Sequence, residues 1–214
     1  MNQFGPTKQK ILDTAERLFG QHGYAATSLR QIFGQAGVNL AAIHYHFGSK
    51  EELLDEVILR KVTPVNERRL ALLDQIEAEN PVRPGLEKIL DAFLMPMAEK
   101  AAEHPDFVRL MGRLMAEGIL PDFFRRHSQP LIERFTAGLA RALPELPPAE
   151  LAWRIHFMVG AIAQTMCGAP VLPAVVTEGA SFHDRLRRLS KFLAGGFRAP
   201  LPTLEPELEN LEVK

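Results

Sequence analysis

Apolar residues recur along this chain at helical spacing, and no segment alternates as a half-buried strand would. Ile11, Ala15, Leu18 and Phe19 fall at i, i+4, i+7 and i+8, one face of a helix that begins near Thr7. Gly20 and Gly23, with Tyr24, are expected to end it. Ser28-Leu29-Arg30-Gln31 has capping-box form and opens a short helix through Leu29, Ile32, Phe33 and Ala36, which Gly37 should stop. Val38-Asn39 then leads into a second short helix, Leu40 to His46. Ser49-Lys50-Glu51-Glu52 is another capping box and predicts a long helix to about Glu79, with a kink or restart at Pro64. Past the Asn80–Gly85 connector the spacing predicts helices over about Leu86–Glu103 (kinked at Pro96), Asp106–Glu117, Asp122–Ala142, Ala149–Cys167 and Phe182–Phe197. The reading is an all-α chain of about nine helices. An N-terminal three-helix helix-turn-helix unit (1–50) precedes a helical bundle (51–198). Residues 199–214, with three prolines and four glutamates, read as a disordered acidic tail.

Composition narrows this picture only a little. The 214 residues suffice for a proper core, and 46% apolar with 24% charged residues is ordinary for a globular chain. No window reaches the roughly 18 apolar residues of a membrane span, and the opening residues lack a basic and then apolar leader, so a cytoplasmic protein is expected. The lone Cys167 excludes an internal disulfide framework and reads as a small buried residue. Net charge is −1, but residues 1–50 set five cations against two carboxylates, a local excess of +3 suited to phosphates.

Two short helices joined by a tight Gly-containing turn, after a longer helix, form a DNA-reading geometry. The second helix enters the major groove, so it must be short and show small or polar residues outward. With Leu40 and Ile43 inward, Ala41, Ala42, His44 and Tyr45 face out, and alanine methyls can meet thymine methyls. By spacing alone, a plain helical bundle remains an alternative.

The residues themselves are more specific. Thr27–Ile32 followed by Ala36-Gly37-Val38-Asn39-Leu40-Ala41-Ala42-Ile43-His44-Tyr45-His46-Phe47-Gly48-Ser49-Lys50-Glu51 closely resembles the signature of the TetR family of bacterial repressors, within a match running from about Lys10 to Leu59. The resemblance implies a homodimer without enzymatic activity or cofactor, binding a double-stranded DNA operator through residues 1–50, with 51–198 as its helical-bundle ligand-binding and dimerisation domain. By position it implies phosphate contacts from Thr27, Ser28 and Arg30, and from Lys50 at a helix N-terminus. It places Ala42, His44, Tyr45 and His46 at or near bases and backbone, with Asn39 and Ala41 beside them. Phe33, Leu40 and His44 depart from the family's usual small residue, lysine and tyrosine, which alters the contacts expected there. Ser28 also reads as a simple cap, His46 as packing on the long helix, and Lys50 as a solvated lysine.

For the second half, Leu146–Ala161 resembles a fatty-acid-responsive subgroup of the same family, which implies an apolar tunnel for an acyl chain or acyl thioester. Phe93, Met97, Phe107, Met111, Met115 and Phe157, with Met158, are candidate soft walls for a small apolar effector. Arg154 and His156, with Arg113 and His127, are candidates for its polar head; a plain core of Met and Phe is the bland alternative. Dimerisation is assigned to the last two helices: a small-residue stripe at Gly160, Ala163 and Cys167, faced by Phe182, Leu186, Leu189, Leu193 and Phe197. No metal site is expected, since His44-x-His46 is too small a cluster. A helical carrier or enzyme that kept the fold is the competing function, but the chain lacks GxSxG, CxxC, HExxH and a Gly-rich phosphate loop. A constitutive DNA binder that senses nothing is an intermediate option.

Overall fold

Helical period became helix wherever the structure describes the chain. The computed structural model describes residues 5–38, 47–167 and 179–202, and among these there are nine helices and no strand. They are α1 (Pro6–His22), α2 (Leu29–Ala36), α3 (Lys50–Glu79), α4 (Leu86–Glu103), α5 (Pro105–Ala116), α6 (Leu120–His127), α7 (Gln129–Ala142), α8 (Pro148–Cys167) and α9 (Phe182–Phe197). The expected helix Leu40–His46 lies outside the described residues, as does the chain beyond Pro202.

Local chemistry sets the ends. Gly20 is absorbed into α1, which stops instead at Gly23, whose φ of 88° only glycine adopts readily. Ser28 and Gln31 form the reciprocal capping box on α2, and Gly37, at φ 62°, ends that helix in the left-handed region. Ser49 caps α3 by accepting from the Glu52 N–H at 3.0 Å. Pro64 and Pro96 lie inside continuous helices, so neither restarts the chain. The one long helix expected over Asp122–Ala142 is two. The break at Ser128 (φ −124°, ψ 7°) precedes Pro130, which cannot donate a helical hydrogen bond and would clash with the preceding turn.

Two apolar cores share α3. The first joins α1, α2 and the front of α3 (Leu53 to Val62) with Phe107, Leu110, Met111 and Leu114 of α5 and Leu120 and Phe123 of α6. The head is therefore not closed at residue 50; α5 and α6 supply part of its floor. The second core takes Leu73 and Ile76 of α3 with α4, α7, α8 and α9. Leu186, Leu189, Leu193 and Phe197 of α9 are buried in it. That corrects the expectation that this stripe faces a partner subunit: it faces inward within the chain. Among the described residues no helix is long and apolar enough to cross a membrane.

Candidate functional site

The residues expected to meet DNA are differently placed in the head. Ser28 and Arg30 are exposed at the start of α2. The Ser28 Oγ accepts from the Gln31 N–H at 3.2 Å, so the residue caps its helix. Thr27 is placed otherwise than expected: it is buried, and its hydroxyl donates to the carbonyls of Gly23 at 2.7 Å and Leu18 at 3.3 Å. The side chain that was to meet a phosphate instead ties the turn to α1. Lys50 opens α3 with its ammonium 4.2 Å from the Tyr24 ring centroid. Burial holds its pKa below the ordinary lysine range, against a smaller opposing pull from Glu117. Asn39, Ala41, Ala42, His44, Tyr45 and His46 lie outside the described residues. Phe33 is fully buried in the head core, so its bulk relative to a small residue is taken up by packing.

A polar joint fastens the head to the body. Arg113 of α5 donates to the carbonyl of Gln21 at 2.9 Å, and Glu117 accepts from the Tyr24 N–H at 3.1 Å. Gly23 permits this approach, since a Cβ there would lie 2.5 Å from Glu117 Oε1. At the front of α3, Asp55 accepts from Arg126 at 2.9 Å and pairs with His127 Nε2 at 2.7 Å, while Arg126 also reaches Glu51 at 3.0 Å. Arg60 bridges back to Asp13 and Glu16 of α1. Arg113 and His127, considered as head-group ligands, are thus engaged at this joint.

Behind the joint lies a cavity of about 410 Å³, within the range of small-molecule sites. Its walls come from Val62, Val65 and Arg69 of α3, Phe93 and Met97 of α4, Phe107, Met111 and Met115 of α5, the Phe124–Ile132 region, and Val159, Ile162 and Met166 of α8. Phe93, Met97, Phe107, Met111 and Met115 are therefore brought together as expected. Arg154, His156 and Phe157 are not, and this corrects their assignment as ligand residues. The part of α8 that reaches the cavity is Val159, Ile162 and Met166, at i, i+3 and i+7. Arg154 is buried elsewhere, donating to Glu150 at 2.7 Å and to the carbonyls of Gly196, Phe197 and Pro200. It thereby satisfies the end of α9 and pins the first residues after it. His156 and Phe157 are exposed in an aromatic cluster with Trp153.

Two polar residues that the sequence did not single out stand in the cavity wall. Arg69 is buried, donates Nε–H to the Phe93 carbonyl at 2.7 Å and Nη1–H to Asn66 at 2.9 Å, and lies 4.2 Å from the Phe93 ring. Burial lowers its pKa to about 10, so it stays cationic at neutral pH. The available signal was phase: Arg69 shares the stripe of Val62, Val65, Leu73 and Ile76. Ser128, at the break before α7, is also buried, with its Oγ lacking a hydrogen-bond partner among the described residues. Among the described residues no group of three or more His, Cys, Asp or Glu is set to hold a metal.

Comparison with known proteins agrees with this layout. Residues 11–57 match the model "Bacterial regulatory proteins, tetR family", and residues 89–196, half of the chain, match "Tetracyclin repressor-like, C-terminal domain". The chain is 30% identical to the HTH-type transcriptional regulator YerO of Bacillus subtilis over 115 residues, 54% of this chain and 37% of that protein. It is 29% identical to the HTH-type transcriptional repressor NicS of Pseudomonas putida over 151 residues, 69% of this chain and 66% of that protein. Matched stretches thus span only about a quarter to two thirds of the curated relatives' own length. Among solved structures, the fatty acid degradation regulator FadR of Bacillus halodurans has the same fold, with a TM-score of 0.60 at 17% identity over 93% of this chain and all of that one. FadR of Bacillus subtilis, solved in complex with stearoyl-CoA, gives 0.56 at 16% identity over 88% of this chain and 98% of that one. With both halves matched in order, the chain belongs to the tetR family of bacterial regulatory proteins.

Proposed function

We propose that this protein is a dimeric, cytoplasmic repressor that leaves a palindromic operator when a small apolar effector enters the body. One observation carries the reading: the cavity and the reading head are built from the same helices. Val62 of α3 and Phe107, Met111 and Met115 of α5 line the cavity and also belong to, or pack against, the head core. An occupant that wedges those side chains shifts the head directly. Two heads on a two-fold dimer must meet half-sites about 34–36 Å apart, or a multiple of that, so a small shift spoils the fit. Trp153, Phe157 and Val159 of α8 and Phe192 of α9 are large, apolar and exposed, which supports an interface on these helices. The stearoyl-CoA complex of the Bacillus subtilis FadR supports an acyl-like effector here too.

The test is binding of the dimer to DNA upstream of its own gene, measured by fluorescence anisotropy at several salt concentrations. Affinity should fall steeply with salt, by about 0.9 log units per tenfold salt for each phosphate contact. An acyl compound should release the DNA. Salt-insensitive or absent binding to promoter DNA would sink the regulator reading in favour of a carrier that kept the fold.

A further inference from the structure

The cavity of this protein contains an unbalanced charge. Its walls are apolar, yet Arg69 stands in them with only 7% of its surface exposed. A guanidinium offers five N–H donors. Arg69 commits one to the Phe93 carbonyl and one to Asn66, both neutral, and leaves both Nη2 hydrogens and one on Nη1 without a partner among the described residues. No carboxylate among the described residues pairs with it, and burial alone accounts for its lowered pKa. A buried cation without a counter-charge is costly. The other cations on the wall differ: Lys100 holds Glu103 at 2.7 Å, and Arg125 holds Asp122 at 2.6 Å. Independently, the Ser128 hydroxyl in the same wall is buried with no hydrogen-bond partner among the described residues. A single-headed anion with an apolar body answers the Arg69 deficit: it neutralises the charge and accepts the free N–H groups in the forked geometry a carboxylate matches, while Ser128 stands in the same wall as a further donor.

Resting on the reading of this cavity as the effector site, we propose that the effector is an apolar carboxylic acid, bound as the anion, with Arg69 as its counter-ion and Ser128 as an added donor. The hydrocarbon part then lies among Met97, Phe107, Met111 and Met115. A neutral head such as a thioester or an alcohol leaves Arg69 uncompensated. Because Arg69 belongs to α3, the same helix that Lys50 opens at the head, the anion is tethered to the linking helix itself.

The test compares three probes of equal chain length on the full-length protein at pH 7.5: dodecanoate, 1-dodecanol and dodecylammonium. Binding is read by calorimetry and by the shift in melting temperature. Dodecanoate should bind at least tenfold more tightly than dodecanol, and dodecylammonium should bind least. In Arg69→Met, which replaces the buried charge with an apolar chain of similar length, dodecanoate should lose that advantage while dodecanol keeps its affinity; Ser128→Ala should weaken dodecanoate a few-fold. Dodecanol matching dodecanoate in the unaltered protein, a comparison independent of how any variant folds, would overturn the anion assignment and leave the apolar cavity standing. So would dodecanoate binding unchanged in Arg69→Met. Failure of all three probes to bind would overturn the assignment and the apolar-effector reading together.

Discussion

Thr27 and Ser28 are adjacent, of similar chemistry, and differently placed. Thr27 turns its hydroxyl into the head to bond Gly23 and Leu18; Ser28 stays exposed and caps α2. Thr27→Val should therefore lower stability by about 1 kcal/mol. For a chain of this size that is a melting shift of about 2–4 °C. DNA affinity per folded molecule should be unchanged; a fall in affinity without a fall in melting temperature would return Thr27 to the phosphate contact expected from its sequence. Ser28→Ala should cost a similar ~1 kcal/mol through the lost cap. Arg154 makes the same point for the body. The head-group role expected for it falls away because its donors hold the carbonyls at the end of α9. Arg154→Leu should lower the melting temperature while leaving effector affinity intact, as calorimetry on the two proteins would report.

At the scale of elements, the joints between helices are the informative parts. Asp55 of α3 is the common partner of Arg126 and His127 of α6. Asp55→Asn should cost about 1 kcal/mol at most, since both pairs are partly exposed. Its clearer effect should be faster amide exchange in α6 and the front of α3, and a weaker coupling between effector and DNA affinity. His104 sits at the joint of α4 and α5, with Lys61 Nζ 3.5 Å away. Burial first, then Lys61 and Lys100, hold its pKa below the ordinary value near 6.5, with Glu16 and Glu103 opposing. A histidine with a lowered folded pKa is protonated first in the unfolded chain. Stability is therefore present above the ordinary value and is lost as pH falls from there towards the folded value. The melting temperature should drop more between about pH 7 and pH 5.5 in the native chain than in His104→Asn.

For the whole molecule, the exposed faces of α8 and α9 should decide assembly. Trp153 is the chain's single tryptophan and is 59% exposed on that surface. Its fluorescence should be blue-shifted in the dimer and move to the red on dilution. Phe157→Asp should give a monomer by sedimentation and abolish operator binding, since one head alone meets only half a site. A monomeric native protein at micromolar concentration would contradict the two-headed mechanism.

Sequence alone carried what is periodic or local. Helix positions followed from apolar spacing at 3.6 residues, helix starts from Ser28 and Ser49, and the head from a contiguous run of residues resembling a known signature. The soft side chains Phe93, Met97, Phe107, Met111 and Met115 were legible as walls because flexible apolar residues cluster there. Tertiary structure decided whatever depends on which face of a helix meets which neighbour. It turned Leu186, Leu189, Leu193 and Phe197 inward, removed Arg154, His156 and Phe157 from the cavity, and put α5 and α6 beneath the head. It also found Arg69 and Ser128, a charge and a hydroxyl that the sequence reading did not single out; only packing from six other helices buries them around one apolar space.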